Sequence, residues 1–164
     1  FVGKLQQKIE GQITRSGFRP QLISTRGGPT PDEEASLDWS RGEASFTRNG
    51  ATRREAIAPN SVDVISLMFS LAAGLPGTDQ KRFNIVTPRG QNAYSFEVIG
   101  QESVELKVGT VLTTHVKLTS GDGKSNYEAW LAPTLNNLPV KLRFPVARGR
   151  VMFDLSATRI RIEG

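Results

Sequence analysis

The sequence predicts a mainly β fold: a strongly curved antiparallel sheet, or incomplete barrel, wrapped around one apolar helix. Three observations carry this. Short runs alternate apolar and polar residues, turns rich in Gly, Asn, Asp and Pro separate them, and one segment alone, residues 62–73, has helical caps and no alternation. Counting the alternating runs gives about eight to ten strands. The 164 residues read as a single β-rich domain, 1–164, long enough to bury a core without disulfides. Its opening, FVGKLQQKIEGQITRSG, reads as the middle of an ordered segment, so further N-terminal strands are expected upstream of Phe1.

Taken in order, GFRP (Gly17 to Pro20) leads into a strand, and ASLDWS places Ala35, Leu37 and Trp39 on one face. Before it, Asp32 to Glu34 lack the spaced oxygens and turning glycine of a calcium loop and read as a solvated turn. RGGPTPDE, SRGE, RNGA, TPRGQN and SGDGKS supply positive or preset φ, so the connections read as hairpins. In PNSVDVISLMFSLAAGLPG, Asn60 or Ser61 is the candidate N-cap, Asp63 lies in the first turn, and Gly74 with Pro76 ends the helix. Only Asp63, Ser66 and Ser70 are polar between Val62 and Ala72, so burial on more than one side is expected.

AYSFEVIG alternates through Tyr94, Phe96 and Val98. From Val104 to Leu118 the apolar residues Val104, Leu106, Val108, Leu112, Val116 and Leu118 are all even-numbered, and His115 falls on the polar side. Gly109 and Thr110 interrupt the run, which is either one bent strand or two joined by a tight turn. YEAWLAPTLNNLPVKLRF is a hairpin corner in which Pro133 and Pro139 bracket TLNN, with Asn136 and Asn137 suited to left-handed backbone. Leu138, Val140, Leu142 and Phe144 are expected to form one apolar face towards the helix, with Trp130 ambiguous. The last strand, RVMFDLSATRIRIE, changes phase near Ala157 to Arg159.

Cysteine is absent, which removes disulfides and thiolate chemistry, and one histidine cannot build the usual zinc sites. No metal and no cofactor is therefore expected. The formal net charge of +5 favours anionic partners. The basic residues are scattered without interleaved aromatics, so nucleic acid is not the expected partner. No apolar run is long enough to span a membrane. Ser66 lacks a nucleophile elbow and nothing in the sequence places His115 beside it, so Asp63, Ser66 and His115 do not read as a triad, and no catalytic residue is assigned.

Three stretches in order, GFRP, DVISLMFSLA (Asp63 to Ala72) and WLAPTLNNLPVKLRF (Trp130 to Phe144), together with SLDW (Ser36 to Trp39), resemble the bacterial envelope family known as domain of unknown function 3108. The resemblance covers nearly the whole chain. It implies a periplasmic protein without established enzymatic activity, and a more distant likeness to lipoprotein carriers of the LolA/LolB type. In such a fold Trp39, Met68, Phe69 and Trp130 are candidate ligand-binding residues between helix and sheet, set against a packed-core role for each. Arg159 and Arg161 point together off one face and could meet an anionic surface, or protect an edge strand. The function expected is non-catalytic binding of a lipid or other amphiphile. The alternative is a protein interaction module whose open sheet edges take up a homodimer mate or an envelope protein by β-addition.

Overall fold

The computed structural model describes residues 6–15, 17–27, 31–73, 82–146 and 151–159. Among them are twelve strands and one α-helix: β1 (Gln6–Thr14), β2 (Gly17–Arg26), β3 (Glu33–Asp38), β4 (Glu43–Arg48), β5 (Ala51–Ala56), β6 (Ser61–Val62), α1 (Val64–Ala72), β7 (Arg82–Thr87), β8 (Gly90–Leu106), β9 (Gly109–Ser120), β10 (Asn126–Ala132), β11 (Leu138–Val146) and β12 (Val151–Ser156). They form a five-stranded sheet in the order β1-β2-β3-β4-β5 and a seven-stranded sheet in the order β12-β11-β10-β9-β8-β7-β6. The expected class is the one observed: mainly β, with a strongly curled half-barrel and one helix. The strand count exceeds the expected one because β1 is exposed on both faces and β6 is two residues long, so neither alternates. The described chain divides into two compact units, one containing residues up to Leu67 with Phe83–Ala93, the other residues from Met68 to Arg82 and from Tyr94 onward.

In the first unit β1 to β5 follow one another as antiparallel neighbours. Ile23, Ala35, Leu37, Ala44, Phe46 and Val86 make its core, with Ile9, Trp39 and Ile57 packed against it. Asn49 and Gly50, at φ 52° and 74°, turn β4 into β5 with the left-handed pair that a two-residue hairpin needs. Glu33 does not belong to a solvated turn. It opens β3, is buried, and lies 3.0 Å from Arg48 Nε and 2.8 Å from Arg89 Nε. A carboxylate can leave water there because two guanidinium groups replace its hydration.

In the second unit the even-numbered run from Val104 to Leu118 is two strands, and it serves two faces. Leu106 pairs with Gly109 across a two-residue turn, so an even residue on β8 shares a face with an odd one on β9. Val104 and Leu106 therefore lie on the side of Val111, Thr113 and His115, while Leu112, Val116 and Leu118 lie on the other. A bulge at Val98–Gly100 adds a second phase change upstream on β8. The corner after β10 is a hairpin as expected, built on a 3-10 turn, Pro133–Leu135, and on Asn136 and Asn137 at φ 54° and 55°. The expected apolar face of β11 is split, however, by a register shift opposite Trp130 and Leu131. Leu142 pairs with Ala129, whereas Val140 joins Trp130.

The helix begins two residues later than expected, and its cap is Asp63 rather than Asn60 or Ser61. Asn60 sits in a turn at φ 56°, and Ser61 belongs to β6. Asp63 Oδ1 accepts the Ser66 backbone N–H at 2.9 Å, the bond an N-cap supplies to the third helical residue. Leu67, Met68 and Ser70 are buried and Phe69 is the exposed member, so the helix is enclosed on most of its circumference, as its composition requires. The expected stop at Gly74 and Pro76 lies outside the described residues.

Burial pushes the Asp63 carboxyl above its ordinary range, against the hydrogen bonds from Ser66 that favour the carboxylate. Between the ordinary value of 3.8 and the raised folded value, the folded state holds a proton that the unfolded chain has released. Asp63 therefore destabilises the fold as pH rises through that window. Asn keeps the capping oxygen without the charge, so the stability of wild type minus that of Asp63→Asn should fall from acidic to neutral pH in denaturant melts. A difference independent of pH would refute the assignment.

Candidate functional site

The β1–β2 hairpin carries an open groove of about 260 Å³ in the first unit, lined by Ile9, Gly11, Gln12, Ile13, Phe18, Arg19, Pro20 and Ser66. Its shape originates in a register shift between Glu10 and Gly11, where the two strands approach closely. A Cβ at Gly11 would stand 2.4 Å from the Arg19 carbonyl oxygen and 2.8 Å from Pro20 Cα, so only glycine fits. Trp39 supports β2 at this point: its Nε1 donates to the Pro20 carbonyl at 2.6 Å, and the Arg19 guanidinium lies 4.8 Å from its ring centroid. The Arg19 side chain is thereby held over the aromatic face of Trp39. The groove thus sets apolar Ile9, Ile13, Phe18 and Pro20 beside Arg19.

The residues expected to bind a ligand are not gathered here. Trp39 is half-buried and touches two groove residues, Arg19 and Pro20, without lining the groove itself. Met68 is buried, Phe69 is exposed beside it on α1, and Trp130 is buried within β10. Arg159 is exposed, and Arg161 lies outside the described residues. The groove residues have a signal of their own in the sequence: Ile13 and Phe18 flank the TRSG segment with Arg15 and Arg19, and no acidic residue occurs from Gly11 to Leu22.

In the second unit, one sheet face carries a row of alternating charge, Glu97, Lys117, Glu128, Arg143 and Asp154, matched across five strands. Arg143 grips Asp154 with two bonds, 2.7 Å from Nε and 2.8 Å from Nη2, and this holds the Asp154 carboxyl below its ordinary range. The next row reads Gly100, His115, Trp130, Lys141 and Ser156. His115 stacks on Trp130 at 4.4 Å, its Nδ1 lies 3.1 Å from Glu102 Oε1, and its Nε2 lies 2.8 Å from Glu128 Oε2. The indole Nε1 of Trp130 donates to the same Glu102 oxygen, and the Lys141 ammonium sits 4.4 Å from the ring centroid.

These groups are spent on one another. Both nitrogens of the single histidine face carboxylates from neighbouring strands, and among the described residues no His, Asp and Glu cluster is arranged to hold a metal ion. Asp63 is engaged at the helix cap. Trp130 is 4% exposed and packs with Val104, Ala132 and Val140, which makes it the centre of a core cluster with a satisfied polar tip. Trp130→Ala should cost about 3–5 kcal/mol in denaturant melts. An unfolding midpoint close to wild type would show that Trp130 is not a core residue.

No curated protein and no solved structure matches this chain. A family model described as "Protein of unknown function (DUF3108)" matches residues 1–156. With nearly its whole length covered by that match, and with the mainly β half-barrel now in view, the chain belongs to the DUF3108 family.

Proposed function

We propose that this chain is a non-catalytic binding protein of the bacterial envelope, and that it takes a single amphiphile with an anionic head in the groove of the β1–β2 hairpin. One observation carries the reading: apolar Ile9, Ile13, Phe18 and Pro20 converge beside Arg19 in an open space of about 260 Å³. That volume is a little under the roughly 300–1,000 Å³ of sites for drug-sized ligands. It suits one acyl chain segment or one ring system. The groove includes Ser66 from the first turn of α1, so the ligand meets both helix and sheet, as expected for this fold class. The engagement of His115 with Glu102 and Glu128, and of Asp63 with Ser66, supports the non-catalytic part of the proposal.

A second reading rests on β1, which among the described residues ends its sheet and is exposed at every position except Ile9 and Thr14. Such an edge can take up a strand from a partner. Native mass spectrometry of protein purified from an envelope fraction separates the two: a co-purifying amphiphile supports the groove, and a dimer or bound protein supports β-addition.

The direct test is titration with a fluorescent fatty acid. Wild type should bind it, Arg19→Gln should weaken binding about tenfold by removing one charged contact, and Ile9→Trp should block it by filling the groove. Equal binding by all three proteins would place the ligand elsewhere and end this reading.

A further inference from the structure

The β1–β2 hairpin has a second property that the groove does not require. Ile13 is 76% exposed, more than any other large apolar residue among those described. It pairs across the hairpin with Phe18, and the turn beside it is closed by Thr14 Oγ1 donating to the Gly17 carbonyl at 2.7 Å.

Charge at this end of the hairpin is of one sign. Arg15 and Arg19 are exposed, and from Gly11 to Leu22 the sequence contains no Asp or Glu. Glu10, the nearest acid along β1, is paired with Lys8 at 2.6 Å. Several other arginines meet carboxylates, as Arg48 and Arg89 do on Glu33, Arg53 on Glu55, and Arg143 on Asp154. An exposed apolar residue flanked by cations that meet no carboxylate among the described residues matches the surface of an anionic bilayer, where the side chain enters the acyl boundary and the guanidinium groups stay among the phosphates.

We infer that the tip of the β1–β2 hairpin docks on anionic lipid surfaces, with Ile13 inserted and Arg15 and Arg19 among the headgroups. Ile13, Phe18 and Arg19 line the groove as well, so docking brings the groove's mouth to the bilayer. This last consequence rests on the groove reading above, whereas the docking itself does not. Because one apolar side chain and two cations are involved, the association is weak and reversible, and it weakens as salt rises.

The test is co-sedimentation of the whole chain with vesicles of phosphatidylcholine, with and without phosphatidylglycerol. Wild type should sediment only with the anionic vesicles, and less at high salt. Arg15→Gln should lower the apparent affinity about fivefold, and Ile13→Ser by about tenfold or more. Arg15 does not line the groove, so Arg15→Gln should keep its affinity for the fluorescent fatty acid. Failure of wild type to bind anionic vesicles, or binding that neither substitution weakens, overturns the inference. Vesicle binding without fatty-acid binding would retain it while removing the groove reading.

Discussion

The constraint on which the second unit depends is that side chains along a strand alternate with a period of two, so a one-residue irregularity moves every following side chain to the other face. The chain uses this more than once. The bulge at Val98–Gly100 carries β8 from the face of Tyr94 and Phe96 to the face of Glu102, Val104 and Leu106. The shift opposite Trp130 and Leu131 takes Val140 out of the Leu142 row. Only after both changes do Val104 and Val140 meet Trp130 in one cluster. Without them the indole would lose Val104 and Val140 as neighbours on a face that also carries Glu128 and Lys141.

The same geometry explains where the charge goes. Rows of residues matched across β8 to β12 place Glu97, Lys117, Glu128, Arg143 and Asp154 side by side with alternating sign. The adjoining row on the opposite face, Val98, Val116, Ala129, Leu142 and Leu155, is apolar throughout. Cross-strand pairs of opposite sign favour this register, and like charges would oppose it. The formal excess of +5 is accordingly not spread over that face. Part of it stands at the end of the β1–β2 hairpin, where Arg15 and Arg19 meet no carboxylate among the described residues.

What could be read from the sequence was whatever depends on local period and turn chemistry. The β fold, the alternation of Ala35, Leu37 and Trp39, the Asn136–Asn137 corner and the lone helix all follow from residues within about ten positions of one another. The facial assignments from Val104 to Leu118 and from Leu138 to Phe144 did not, because parity alone does not report a hairpin turn or a bulge. Glu33 was misread for a related reason: Arg48 and Arg89, which bury it, are brought in by sheet pairing and by a distant turn. The groove was hidden because β1 scarcely alternates, and its residues come from both sides of a register shift.

Gly11 joins two properties that proteins often keep apart. Since no side chain fits between it and the backbone of Arg19 and Pro20, that part of the groove's lining is main chain, identical in chemistry whatever the sequence around it. The lining can then vary only through the surrounding side chains, such as Ile9, Ile13, Phe18 and Arg19, while the depth of the groove stays fixed by how closely two strands approach. A larger residue at Gly11 would push β1 off β2, so an edge strand that has lost its pairing and a site that has lost its shape would be one and the same lesion.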